Sequence, residues 1–396
     1  MNTKRILFLT LGKINSTKDS GIYSDLAEEL SKHAHITILC PHERRYGYKS
    51  LLIKEENVTI YQQLTPNIQK TKKIEKIFST FLMEYFMIYT LVRKLRLYNF
   101  ELLLVSTPPI FLNKFFRVFK IFNPGAKIYL LLKDIYPQNA VDIGLMSKNS
   151  FLYKYSRKVE QKIYKIVDRI GCMSRANMDY IATHNSEIIQ KLELNPNSIN
   201  LEKYPTKGRT QIEAIPTSLK LIYGGNLGKP QDASLICEFI LKLEQLENVE
   251  FTICGTGTEY FKIKDFIYRN GVQKTTLLTN LKKSDYFKLL EKSDLGLIFL
   301  DNNFTIPNYP SRIIDYIRYE LTIVSITDSI TDITELIESN KLGYCFTNSK
   351  SQIAKAINQI EKIKENRDRN KYNGELILNK YFNVKDSTNK ILNLLQ

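Results

Sequence analysis

The stretch YPSRIIDYIRYELTIVSI, residues 309–326, decides the fold because it joins a short helix directly to a buried strand. Pro310 marks the turn that opens the helix, and the β-branched run Leu321–Ile326 predicts the strand. The first turn of such a helix has unpaired backbone N–H groups and the positive end of the helix dipole. The segment therefore predicts an anion-binding helix start beside a sheet.

Arg312 and Asp315 lie on this helix one turn apart. A guanidinium binds phosphate, and a carboxylate accepts hydrogen bonds from a pair of hydroxyls. The pair predicts a site for the diphosphate and ribose of a sugar nucleotide. The alternative is a capped surface helix on which both side chains are solvated.

Strands and helices alternate along the whole chain. In the N-terminal half, apolar runs predict strands at Arg5–Leu11, His35–Pro41, Asn57–Gln63, Phe100–Thr107, Ala126–Leu132 and Asp168–Met173. In the C-terminal half, they predict strands at Leu219–Gly225, Val249–Gly255, Thr275–Asn280, Asp294–Leu300 and Leu321–Thr327. Helical segments such as Ser24–His33 separate most of them, which predicts parallel sheets covered on both faces.

A polar stretch with prolines and a glycine, residues 203–218, interrupts the alternation, which then restarts. The chain of 396 residues also exceeds the roughly 250–300 residues that one core usually serves. We therefore predict the α/β class with two doubly wound, Rossmann-like domains, residues 1–203 and 204–383, and a closing helix at 384–396. In such folds, ligands bind beyond the carboxyl ends of the strands.

Several strand ends of the second half carry residues suited to an anionic ligand. The first strand runs into GGNLGKPQD, residues 224–232, and the second ends in Gly255-Thr256-Gly257. Glycines permit close backbone approach to a ligand, and Lys229 can neutralise a phosphate. A tight strand–helix turn uses the same residues, so each loop alone is weak support. Neither GxxxxGK[ST] nor a GxGxxG after the first strand is present, which disfavours P-loop and NAD enzymes.

Composition excludes several classes of protein. A hydrophobic content of 43% is ordinary for a globular chain. Five scattered cysteines without a CxxC pair favour a reducing compartment, and four histidines form no credible metal-ligand set. The N-terminal apolar run is too short for a secretory signal, so we expect a cytoplasmic protein.

The basic residues exceed the acidic ones by a formal charge of +16. The segment from Lys70 to Lys120 contains ten basic and three acidic residues. It includes the aromatic run IFSTFLMEYFMIYTLV, residues 77–92. This run is shorter than the ~20 residues of a spanning helix and contains Glu84. It predicts a helix packed on a sheet, or a helix lying on an anionic membrane surface.

In the order of these motifs, the chain resembles the GT-B glycosyltransferases. A GGNLG loop, a GTG turn and PSRIIDY ahead of a β-branched strand are similar to the donor domain of retaining family 4 enzymes. The segment LLLKDIYPQNAVDIGLM, residues 130–146, resembles a capsule and O-antigen subgroup that includes N-acetyl-L-fucosamine transferases. VDRIGCMSRANMDYI, residues 167–181, and VKDSTNKILNLL, residues 384–395, resemble the family's segments before and after the interdomain crossing.

The resemblance implies a role for each matching position. Asp315 matches the acid that holds the ribose, Arg312 and Lys229 match basic positions near the diphosphate, and Asp134 matches a segment facing the reacting sugar. The family's first acid would fall at Pro307, so this chain departs from the pattern there. The remaining donor-binding positions implied are Gly12, Gly225, Asn226, Gly255, Gly257, Leu281 and Ser311. Asn226 stands where the wider family often has arginine.

The resemblance implies a GT-B enzyme with two domains facing a cleft, a UDP-linked sugar donor, and no metal or other cofactor. It also implies a lipid-linked saccharide acceptor. Together with the basic segment Lys70–Lys120, this predicts that the protein attaches peripherally to the inner face of the membrane. Three alternatives stay open: a non-catalytic partner of another transferase, a sugar-nucleotide 2-epimerase, and a nucleic-acid-binding protein, although no nucleic-acid recognition module accompanies the charge.

Asp134 has a structural alternative of its own. It follows the predicted strand Ala126–Leu132, and Tyr136 and Pro137 mark a turn just beyond it. A short polar side chain in that place is also typical of a residue that caps the following helix. The two interpretations differ in whether the carboxylate contacts the helix start.

Overall fold

The computed structural model describes residues 4–67, 73–107, 112–204, 206, 218–366 and 372–396. Two compact units make up the chain: Met1–Asn200 with Phe382–Gln396, and Leu201–Tyr381. Most of the polar stretch between the two predicted domains, and Lys70 and Lys72 of the basic segment, lie outside the described residues.

The first unit is an α/β sheet with helices on its faces. Its strands are β1 (Arg5–Leu9), β2 (His35–Glu43), β3 (Leu51–Lys54), β4 (Val58–Thr65), β5 (Leu102–Ser106), β6 (Lys127–Leu132), β7 (Arg169–Cys172) and β8 (Leu192–Leu194). Its helices within the first 200 residues are α1 (Ile22–Ser31), α2 (Lys73–Thr90), α3 (Asn113–Phe122), α4 (Gln138–Asp142), α5 (Phe151–Ile166) and α6 (Arg175–His184). The strand order is β3-β4-β2-β1-β5-β6-β7-β8, and the described pairs are parallel except β3 with β4.

The second unit repeats this plan with a sheet of order β11-β10-β9-β12-β13-β14. Its strands are β9 (Leu219–Gly224), β10 (Val249–Cys254), β11 (Thr275–Leu278), β12 (Leu295–Phe299), β13 (Thr322–Thr327) and β14 (Gly343–Thr347). Its helices are α7 (Ala233–Leu243), α8 (Tyr260–Arg269), α9 (Lys283–Glu291), α10 (Arg312–Arg318), α11 (Ile333–Ser339), α12 (Lys350–Asn366) and α13 (Gly374–Tyr381). The described strand pairs of this sheet are all parallel.

The last helix, α14 (Val384–Asn393), returns to the first unit. Val384 and Ile391 are buried in the same apolar cluster as Leu26 and Leu30 of α1. Burying a side chain of this kind contributes about 1.5–3 kcal/mol. Backbone pairing of Ile199 with Asn383 joins the two segments at which the chain leaves and re-enters this unit.

The predicted two-domain parallel α/β fold is confirmed, and all eleven predicted strands are present with small shifts at their ends. Central strands such as β5 and β12 are buried along their whole length, which is why their sequences are continuously apolar. The predicted helix with Ser24 at its start begins earlier, at Ile22, after Gly21. No strand was predicted at β3, β8 or β14.

Candidate active site

At the carboxyl edge of the second sheet, the loops after β9 and β10 are bonded to each other. The N–H of Gly225 donates to the carbonyl of Cys254 at 2.9 Å, and that of Leu227 donates to Thr256 at 2.9 Å. A Cβ at Gly255 would collide with the Gly225 carbonyl, and one at Gly257 with the Leu227 carbonyl. The glycines predicted to approach a ligand thus allow the two loops to pack together.

The loop after β12 joins the same edge and leads into α10. The N–H of Asp301 donates to the carbonyl of Pro230 at 2.9 Å, which ties this loop to the loop after β9. Ser311 precedes α10 and makes no side-chain cap to it. The loops after β9, β10 and β12 therefore lie together at one edge of the second unit.

Arg312, the first residue of α10, lies against the end of β9. Its guanidinium carbon is 4.1 Å from the ring centroid of Tyr223, and a Cβ at Gly225 would lie 3.2 Å from its Nη2. Gly225 also has φ of +130°, a conformation that favours glycine. Nε and Nη1 of Arg312 are buried and have no hydrogen-bond partner among the described residues. A buried guanidinium with two unused donors is suited to an anion.

Asp315 lies one turn further along α10 and is partly buried. Within the described residues, its carboxylate has no hydrogen bond and no ion pair. Desolvation raises the pKa of Asp315, and the nearby charges of Lys283 and Arg318 oppose that rise. Arg318 is itself buried, with its guanidinium carbon 4.8 Å from the Phe287 ring centroid and 5.2 Å from that of Tyr204. The carboxylate is thus an unused acceptor in a positively charged environment.

The other predicted donor-site residues of this unit lie at its surface. Lys229 begins a 3₁₀ turn, Lys229–Gln231, and its side chain is exposed, as is that of Asn226. Leu281 is 37% exposed just after β11. The loop at Pro307 is held by burial of Phe304 and Ile306, so this part of the site offers backbone groups and no acid at that position.

In the first unit, Gly12 and Asp134 follow β1 and β6, at the carboxyl edge of the sheet. Thr107 Oγ1 accepts from the N–H of Lys133 at 2.8 Å, and Thr10 Oγ1 accepts from the N–H of Gly12 at 3.2 Å. The Asp134 side chain is exposed. Helix α4 begins after Pro137 without any side-chain cap, so the interpretation of Asp134 as its cap is wrong.

The sequence did not reveal several neighbours of these residues. Tyr23 packs against Gly12; burial raises the pKa of the Tyr23 phenol, and the charge of Asp134 adds to that rise. Desolvation lowers the pKa of the Lys133 ammonium, next to Asp134, to about 7. In the second unit, Tyr223 and Tyr286 surround the β9 loop and Arg312. With 24 tyrosines in the chain, none of these positions stands out by residue type.

Part of the chain is similar to a known protein family. A family model described as "Glycosyl transferases group 1" matches residues 207–376, which include the loops and α10. The two parallel α/β units have the GT-B fold of the solved structures below, and the second unit is similar to the group 1 glycosyl transferases over the matched residues. Among individual proteins, the chain is similar to the probable glycosyltransferase WbjE of Pseudomonas aeruginosa, with 22% identity over 274 residues. That alignment spans 66% of this chain and 66% of WbjE, just under two thirds of the relative's length.

Solved structures support the fold across the whole chain. Anabaena Alr3699/HepE in complex with UDP-glucose is similar at a TM-score of 0.67 and 14% identity, covering 99% of both chains. The Burkholderia xenovorans α,α-trehalose-phosphate synthase (UDP-forming), in complex with glucose-6-phosphate, is similar at a TM-score of 0.68 and 11% identity. That alignment covers 99% of this chain and 100% of the other.

Proposed function

We propose that the protein is a retaining glycosyltransferase that moves a sugar from a UDP-linked donor to a lipid-linked saccharide in capsule or surface polysaccharide biosynthesis. The observation that carries the proposal is the pair on α10. The buried, unpartnered donors of Arg312 lie one turn from the unpartnered carboxylate of Asp315, inside a group 1 glycosyl transferase domain. The donor sugar we propose is an N-acetylated amino or deoxy sugar, by resemblance to the fucosamine transferase subgroup.

The proposed reaction breaks the bond between the anomeric carbon and the diphosphate oxygen through an oxocarbenium-like state. The leaving diphosphate gains negative charge, and the guanidinium of Arg312 neutralises it. In a front-face attack, the acceptor hydroxyl forms the new bond on the same side, and its proton passes to the departing phosphate oxygen. Asp315 holds the ribose and takes no part in bond breaking.

The direct test is a thermal-shift screen of the purified protein with UDP, GDP, CDP and ADP, followed by a transfer assay. A ligand that binds only the folded state raises the unfolding midpoint according to its concentration over Kd. We expect UDP to give the largest shift, and transfer or slow donor hydrolysis to continue in EDTA. Binding without any turnover would favour a non-catalytic partner, and interconversion of free sugar nucleotides would favour an epimerase.

We also propose peripheral attachment of the first unit to the cytoplasmic face of the cell membrane. Leu82, Tyr85 and Tyr89 form an exposed stripe on α2, with exposures of 46%, 52% and 56%. Lys114 contributes a cation 4.6 Å from the Tyr85 ring centroid. Exposed aromatic side chains on α2 beside a basic side chain from α3 are suited to an anionic lipid interface. In the ranges that the structure describes, each helix is too short or too polar to span a membrane.

A further inference from the structure

Tyr286, in the first turn of α9, lies directly over the end of β9. A Cβ at Gly224 would be 2.5 Å from ring carbons of Tyr286 and closer still to its hydroxyl oxygen. Only glycine at position 224 therefore lets this ring reach the β9 loop. Gly225, the next residue, lies against the guanidinium of Arg312. The phenol of Tyr286 thus stands at the start of the loop that borders the proposed diphosphate site.

The three tyrosines around this loop use their hydroxyls differently. The hydroxyl of Tyr223 donates to the carbonyl of Asn226 at 2.7 Å. The hydroxyl of Tyr316 accepts from the N–H of Gly224 at 3.1 Å and donates to the carbonyl of Leu297 at 3.1 Å. The hydroxyl of Tyr286 has no hydrogen bond in the part of the chain that the structure describes. Two of the phenols are therefore structural, and one is available to a ligand.

The surroundings of Tyr286 contain both halves of the α10 pair. The charges of Asp315 and Arg312 both act on its phenol, and burial raises its pKa well above the ordinary value for tyrosine. The hydroxyl therefore keeps its proton at physiological pH. A protonated phenol beside an arginine with unused donors is complementary to a phosphate oxygen.

We infer that Tyr286 is a donor-binding residue whose hydroxyl donates a hydrogen bond to the diphosphate held by Arg312. This inference rests on the proposed function, because it needs a nucleoside diphosphate in this site. Tyr286 is not one of the motif residues on α10 or in the β9 loop, because it reaches the site from α9. The Tyr286 hydroxyl supplies an uncharged hydrogen-bond donor near the β9 loop, in which Asn226 stands where the wider family often has arginine.

The test compares the wild-type protein with Tyr286→Phe, which keeps the ring over Gly224 and removes only the hydroxyl. Loss of a hydrogen bond to a charged group should weaken UDP binding by about 10-fold or more in calorimetry. The unfolding midpoint without ligand should stay unchanged. Tyr268→Phe is the matched control, because Tyr268 is 87% exposed on α8 of the same unit and should bind UDP like the wild type.

A double-mutant cycle with Arg312→Lys completes the test. If Tyr286 and Arg312 contact the same diphosphate, the two losses of UDP affinity should not add. Equal UDP affinity of Tyr286→Phe and the wild type would overturn the inference while the proposed function stands. A wild-type protein that binds none of UDP, GDP, CDP and ADP would overturn both.

Discussion

Arg312 is the residue on which the proposed chemistry depends most. Its removal takes a fixed positive charge from the leaving group, which commonly costs about 2.7–4 kcal/mol of transition-state stabilisation. We expect Arg312→Ala to lower kcat by about 10²–10³ while the unfolding midpoint changes little. Steady-state kinetics with the donor found in the nucleotide screen measures this. Arg269→Ala, on the exposed end of α8, is the control, and wild-type rates for Arg312→Ala would show that α10 is misassigned.

We expect Asp315 to make nucleotide affinity depend on pH. Desolvation raises its pKa above the ordinary aspartate value of about 3.9. An ionised carboxylate accepts from both ribose hydroxyls, so affinity should be full above this raised pKa and fall as the pH drops through it. UDP titrations between about pH 4 and pH 8 should show this fall in the wild type. Asp315→Asn should bind UDP weakly and should not show this fall in affinity at low pH. Identical pH profiles for the wild type and Asp315→Asn would contradict the ribose role.

Asp134 is exposed and caps no helix, so its loss should affect activity more than stability. We expect Asp134→Ala to lose transfer activity while keeping the wild-type unfolding midpoint and UDP binding. Asp179→Ala, at an exposed position on α6 of the same unit, should leave activity unchanged. Full transfer activity in Asp134→Ala would remove this residue from the site.

At the residue scale, the sequence predicted positions that share a helix or a loop. The pairing of Arg312 with Asp315 could be predicted because helical periodicity alone puts them one turn apart. The position of Tyr286 near this pair could not be predicted, because Tyr286 lies on a different helix. A tyrosine at a helical position is also typical of a core residue. The packing reason for Gly255 and Gly257 also needed the structure, because sequence does not distinguish a loop that contacts a ligand from one that contacts another loop.

Glu84 shows how a helix can begin on a side chain from a neighbouring helix. Its Oε1 accepts from the N–H groups of Lys114 and Phe115, at 2.6 and 3.0 Å, in the first turn of α3. Capping interactions of this kind contribute about 0.5–2 kcal/mol. This contact explains a carboxylate within the apolar run of α2, which sequence analysis noted without an explanation.

We expect Glu84→Ala to lower the free energy of unfolding by about 1–2 kcal/mol. Glu84→Gln keeps an acceptor oxygen and should lose less, which makes it the matched control. Denaturant unfolding curves of the three proteins measure the difference. An alanine variant as stable as the wild type would mean that water replaces the carboxylate at the α3 start.

Among the elements, central strands were predictable and edge strands were not. β5 and β12 are buried on both faces and read as continuous apolar runs. β3 and β14 lie at sheet edges and are largely exposed or half-buried, so their sequences lack that pattern. β8, a three-residue edge strand, is too short for any periodicity.

At the scale of the molecule, the charge of +16 and the α2 stripe predict salt-sensitive binding to anionic membranes. Wild-type protein should float with anionic liposomes at low salt and be released at high salt. Changing Lys70, Lys72, Lys73 and Lys76 to glutamine should weaken flotation, since each basic residue contributes about 1 kcal/mol near such a surface. Changing Lys262 and Lys264 on α8 to glutamine is the control, and failure of the wild type to float would exclude membrane docking.

The path of the chain through its two units has a consequence for protein synthesis. The second unit is continuous, from Leu201 to Tyr381, whereas the first needs residues from both sides of it. On the ribosome, the sheet of the first unit therefore emerges early. Its core is incomplete until α14 is synthesised, because Val384 and Ile391 are part of that core. During that interval, the second unit can complete its own fold, so the part made first is the part finished last.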